Sequence, residues 1–151
     1  MDQELKELYQ QVILDHNKSP RNFREIDNAT QHAEGYNPLC GDRLDVYLIV
    51  EEGIVKDVSF KGDGCAISKA SASVMTSLLK GKKIDEVEKM FESFHDLVTG
   101  KLGESPDLDE LGKLAVFAGV QEFPVRVKCA SLAWHTMMNA LHNNDEKVTT
   151  E

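Results

Sequence analysis

The chain has 151 residues, enough for one domain with an apolar core that needs no disulfide staples. Its 17 Lys and Arg against 26 Asp and Glu give a net charge of −9, which excludes a general nucleic-acid binder and a protein that adsorbs to anionic membranes. Three cysteines form an odd count at wide spacings, which argues for reduced thiols or a metal site over a disulfide framework.

Residues 3–15 carry Leu5, Leu8, Tyr9, Val12 and Ile13 at helical spacing, and the first seven residues hold too much charge for a secretory signal. A cytoplasmic protein is expected. The helix should stop before Asn17-Lys18-Ser19-Pro20, where proline disfavours a helical residue ahead of it. His16, at that end, reads as a cation facing the helix C-terminus. Residues 22–36 are polar, with room for a short strand near His32 and no functional reading for that histidine.

Tyr36-Asn37-Pro38-Leu39-Cys40-Gly41-Asp42 has the composition of a turn and puts Cys40 and Asp42 at a loop tip. Leu44, Val46, Leu48 and Val50 then alternate as in a half-buried strand, too short a run to cross a bilayer. After Glu51-Glu52-Gly53, the residues Ile54, Val58 and Phe60 mark a return strand that Lys56 interrupts. An antiparallel hairpin of these two strands brings Cys40 and Asp42 to the same edge as Cys65.

Gly62 and Gly64 suit a tight turn with positive φ into a helix over Ala66 to Leu79, with Ile67, Ala70, Val74, Met75 and Leu78 on one side. Cys65 stands at the start of that helix, a setting that favours thiolate. Gly81 breaks the chain, and Ile84, Val87, Met90, Phe91 and Phe94 predict another helix, with His95 on the surface. Residues 99–109 read as a loop in which Asp107 or Asp109 caps a short helix through Leu111, Leu114 and Phe117. Pro124 suits a first helical turn, followed by a core stripe of Ala130, Trp134, Met137, Met138 and Leu141. Cys129 lies at the edge of that stripe with Arg126 three residues earlier, so a thiol and a guanidinium face one place, whereas His135 points elsewhere. The tail from His142 is polar and expected to fray. Neither an internal repeat nor a linker divides residues 1–151, which read as a single domain.

Three thiols and the carboxylate of Asp42 make a plausible tetrahedral zinc set. Their spacing is not diagnostic, because no local Cys-x-x-Cys pair occurs. Residue types alone leave two readings open: one shared metal site, or cysteines scattered through the core.

The three motifs Asn37-Pro38-Leu39-Cys40-Gly41-Asp42, Gly62-Asp63-Gly64-Cys65-Ala66-Ile67-Ser68 and Arg126-Val127-Lys128-Cys129-Ala130 resemble, in order, those of the IscU-like family (the NifU N-terminal family). Asp15-His16 and Pro20-Arg21-Asn22 look like that family too, so the likeness runs from about Leu5 to Leu141. Lys128, where IscU scaffolds have histidine, and a segment of about residues 100–120 that those scaffolds largely lack make the chain resemble the SufU branch. That resemblance implies an α+β fold: a small, mainly antiparallel three-stranded sheet with helices packed on one face and a metal at an exposed rim. It implies Zn²⁺ held by Cys40, Asp42, Cys65 and Cys129. It further implies a sulfurtransferase in which Cys40 accepts persulfide sulfur from a SufS-type cysteine desulfurase and passes it toward SufBCD. Arg126 joins Cys40 as a candidate catalytic residue, and with Lys128 it offsets the negative charge of the ligands. The alternatives are an iron–sulfur cluster scaffold and a zinc-stabilised interaction module without chemistry.

Overall fold

The computed structural model describes residues 3–103 and 106–143, with the backbone of 148–149. Chain order runs α1 (Gln3–Lys18), β1 (Gln31–Asn37), β2 (Asp42–Glu51), β3 (Ile54–Asp63), α2 (Ala66–Leu79), α3 (Ile84–Val98), α4 (Leu108–Leu111), a 3-10 segment (Gly112–Glu122), α5 (Pro124–Leu141) and β4 (Val148–Thr149).

The three long strands form an antiparallel meander in the order β3-β2-β1, to which Val148 and Thr149 add a short parallel pairing outside β1. The expectation of a three-stranded antiparallel α+β fold is met. The tail reading falls partly on residues 144–147 and 150–151, which lie outside the described residues. The β2–β3 hairpin forms where its alternation predicts, with Arg43 opposite Asp63 and Leu44 opposite Gly62. The break at Lys56 is a bulge: Ile49 pairs with Asp57 but Val50 with Val55, so Val55, Val58 and Phe60 all reach the core.

Strict alternation orients the first hairpin. Ala33, Gly35 and Asn37 of β1, and Asp42, Leu44, Val46 and Leu48 of β2, face inward and are buried. His32, stacked on Tyr47 and 2.9 Å from Asp45, belongs to the outer face. Helices cover the inner face. Helix α5 packs on β1 and β2, and Gly35 makes this close approach possible, since a Cβ there would overlap Thr136 Oγ1. Trp134 of α5 stacks on Phe94 of α3 at 4.7 Å, with Phe117 edge-on to Phe94.

Helix α2 begins and ends where its sequence predicts, but it is buried almost all round. Ser68, Ser71, Ser73 and Thr76 are as inaccessible as Ala70 and Met75. Its polar side is used to anchor the end of α1. The His16 Nδ1 and Ser73 Oγ are 2.7 Å apart, the backbone N–H of Arg21 donates to the same Oγ, and Asn22 Nδ2 donates to Thr76 Oγ1. His16 is therefore no helix-end cation: burial, with Arg21 close by, lowers its pKa and favours the neutral ring.

His95 also departs from expectation. It is half-buried, stacked on Phe91 and edge-on to His135, because α3 packs this face against α5. Asp107 does cap a short helix, but that helix ends at Leu111. Gly112 takes φ 58°, and Leu114 and Phe117 are delivered to the core by the 3-10 segment instead.

Candidate metal centre

Two hairpins and two helix starts meet at one end of the inward-facing rows. The β1–β2 connection spans residues 38–41, and Cys40 is exposed at its tip. Asp42, expected at the same tip, is instead the first residue of β2 and fully buried, because it continues the core-facing row of Leu44 and Val46. Cys65 is the residue before α2, and its sulfur accepts the N–H of Ser68 at 3.5 Å. Cys129 is buried in the second turn of α5, after Pro124 at the helix start.

The fold gathers these residues from positions far apart in the chain. One ligand atom from each of Cys40, Asp42 and Cys129 lies within 4.8 Å of the others. The sulfurs of Cys40 and Cys129 are 3.0 Å apart, and both cysteines are free thiols. Cys65 stands outside that tightest set yet adjoins it: its backbone N–H donates to Asp42 Oδ1 at 2.8 Å.

Glycine shapes the approach in two different ways. Gly62 has φ 136°, and a Cβ there would collide with the Arg43 carbonyl. Gly64 does not take positive φ. Its lack of a side chain matters because a Cβ would sit 2.6 Å from Asp42 Oδ1.

Burial pushes the Cys129 thiol far up, reinforced by Cys40, Cys65 and Asp42 around it. Several soft thiols and a buried carboxylate thus crowd a place where negative charges cannot accumulate unaided. A thiophilic dication resolves that conflict, and the donor set fits zinc.

Arg126 is exposed, with its guanidinium 5.2 Å from the Phe123 ring centroid. It lines a cleft of about 710 Å³ between α1, the 3-10 segment and the start of α5, and all three cysteines border that cleft. The apolar wall includes Tyr9, Ile13, Val116 and Val120. Leu14 and Leu39 are both 59% exposed, Leu14 in the cleft lining and Leu39 next to Cys40 in sequence.

Sequence reasoning missed Asn37. It is fully buried, and its Nδ2 donates to Asp42 Oδ2 at 3.1 Å and to Cys129 Sγ at 3.4 Å. The signal was available: counting back by twos from Asn37 gives Gly35 and Ala33, so an amide follows small residues on a core-facing row.

Among described residues, no helix is long and apolar enough to cross a membrane. The model of the NifU-like N terminal domain matches residues 8–130. The zinc-dependent sulfurtransferase SufU of Bacillus subtilis is 43% identical over 133 residues, 88% of each chain. The iron–sulfur cluster assembly scaffold protein IscU of Thermotoga maritima is 38% identical over 136 residues, 90% of this chain and 94% of that one. A crystal structure from Fervidobacterium islandicum AW-1, assigned provisionally as an iron–sulfur cluster assembly scaffold for the SUF system, superposes with TM-score 0.80 at 36% identity. It covers 87% of this chain and 94% of its own. With the cysteine motifs joined at one rim of this fold, the chain belongs to the NifU-like N-terminal domain family, among the SufU- and IscU-like proteins of iron–sulfur cluster assembly.

Proposed function

We propose that the protein is a zinc-dependent sulfurtransferase of the cytoplasm that takes persulfide sulfur from a SufS-type cysteine desulfurase and hands it to SufBCD. The observation that carries this reading is the asymmetry of the thiols: Cys129 is buried and Cys40, 3.0 Å away, is exposed at a loop tip. The likeness to a relative named a zinc-dependent sulfurtransferase supports it.

Cys40, Asp42, Cys65 and Cys129 would hold the metal. When bound, zinc keeps its cysteines deprotonated at neutral pH and shields them from oxidation. The Cys40 thiolate attacks the outer sulfur of the donor's persulfide. A new S–S bond forms on Cys40, the donor's S–S bond breaks, and the donor cysteine leaves as a thiolate, with no net change in oxidation state. The same exchange then passes the sulfur to an acceptor thiolate. Arg126, on the wall of the cleft, draws the anionic persulfide inward and offsets the charge of the ligands.

The test is mass spectrometry after incubation with a cysteine desulfurase and L-cysteine. One added sulfur on Cys40 is expected, and none in Cys40→Ser that still retains much of its zinc. Unchanged sulfur loading in that variant would contradict the role.

A second reading, an iron–sulfur cluster scaffold, is favoured by the relatives that bear that name over nearly the whole chain. Anaerobic reconstitution separates the two: a stable cluster chromophore that transfers to an apo-acceptor supports the scaffold.

A further inference from the structure

Asn37 occupies the end of β1, directly opposite Asp42 in the ladder. Its side chain is fully buried, and its Nδ2 donates two hydrogen bonds. Both go to residues of the candidate metal centre, Asp42 at 3.1 Å and Cys129 at 3.4 Å.

The orientation of the amide is dictated by its neighbours. The Asp42 carboxylate offers only acceptors, so the amide must present its nitrogen to it. That choice leaves Asn37 Oδ1 buried with no hydrogen-bond partner among the described residues. A buried carbonyl without a donor is unfavourable, and an asparagine serving only to pack β1 against α5 would be replaced without loss by an apolar side chain of its size. The two ligand contacts are what the amide supplies and leucine does not.

We propose that Asn37 is a positioning residue of the metal centre, an inference that rests on the reading of Cys40, Asp42, Cys65 and Cys129 as zinc ligands. It acts in two ways. The bond to Oδ2, with the Cys65 N–H on Oδ1, fixes the carboxylate of Asp42 from both sides and thereby sets which lone pair faces the ion. The bond to Cys129 Sγ withdraws electron density from the buried sulfur, which lets three thiolates and a carboxylate gather on one dication.

Two substitutions separate this role from a structural one. Asn37→Leu keeps the branched shape at a larger volume and removes both donors, and Asn37→Ala removes them without adding bulk. Zinc affinity by chelator competition and the electronic spectrum of the Co²⁺-loaded protein are measured for each, beside urea unfolding of the metal-free chain. Asn37→Leu is expected to weaken zinc binding by about 10- to 100-fold. Its sulfur-to-cobalt charge-transfer band is expected to move to lower energy, because the thiolate of Cys129 becomes the stronger donor. Asn37→Ala should do the same even where its metal-free unfolding midpoint also falls. Parent-like zinc affinity and an unmoved cobalt band in Asn37→Leu would overturn the inference while leaving the metal centre standing. A parent chain that binds neither Zn²⁺ nor Co²⁺ would overturn both.

Discussion

Asp42 Oδ1 accepts the backbone N–H of Cys65 at 2.8 Å, so the first residue of β2 and the cap of α2 are locked together across 23 positions of sequence. That bond and the one from Asn37 leave both oxygens of a fully buried carboxylate engaged by the chain itself. Asp42→Ala deprives the buried Asn37 amide and the half-buried Cys65 N–H of this acceptor. It is expected to destabilise even the metal-free protein by about 1–3 kcal/mol, read as a lower urea midpoint. An unchanged midpoint would show that the carboxylate contributes nothing before metal arrives.

Gly64→Ala tests the same junction from the other side. The new Cβ would sit 2.6 Å from Asp42 Oδ1, so the carboxylate must move. Zinc affinity should fall along with stability, whereas Gly41→Ala, where nothing lies within 4 Å of the added carbon, should register only the strain of its positive φ. Equal effects of the two on zinc affinity would contradict the account.

The seat of α5 on the sheet predicts a second steric failure. In Gly35→Val the side chain would overlap Thr136 Oγ1 and crowd Leu132, whose Cδ1 is 3.0 Å from the ideal Cβ. Overpacking of this kind costs about 1–3 kcal/mol. Because α5 carries Cys129, the variant should also lose metal affinity; a stable variant with unaltered affinity would show that the helix can slide freely.

Stability should depend on pH through two histidines. Burial lowers the pKa of His16 and of His135, with Arg21 and His95 adding to the respective effects. The unfolded chain therefore takes up protons first as the pH falls past about 6.5. Stability from these groups is complete above that value and declines as pH drops toward the lowered folded-state pKa values. Urea midpoints of the metal-free protein between about pH 7.5 and 5.5 should fall, and His135→Phe should flatten the slope. A midpoint that rises on acidification would contradict this.

Part of the candidate site was legible in the sequence, although residue types alone left a shared site and scattered core cysteines both open. Cysteine beside glycine at the ends of alternating runs located Cys40 and Cys65, and hairpin pairing alone brought their loops to one edge. What stayed hidden depends on neighbours distant in sequence. Asp42 reads as a loop residue until β1 is known to pair with β2, and β1 is polar enough to conceal its alternation: its inward positions hold alanine, glycine and asparagine. The buried Ser71 and Ser73 of α2 were illegible for a related reason, since only the docking of α5 and α1 gives their hydroxyls partners in the Ala130 carbonyl and His16. The 3-10 segment follows from Gly112, whose positive φ ends α4 one residue after Leu111.

The central claim is that side chains from β2, the start of α2, the β1–β2 loop and α5 together grip one ion. Metal analysis with zinc-edge X-ray absorption on the protein as purified tests it most directly. One zinc per chain is predicted, with three sulfurs at about 2.3 Å and one oxygen at about 2.0–2.2 Å, and one sulfur fewer in Cys129→Ser. A chain without stoichiometric zinc, or a zinc surrounded mainly by nitrogen and oxygen, would contradict the account.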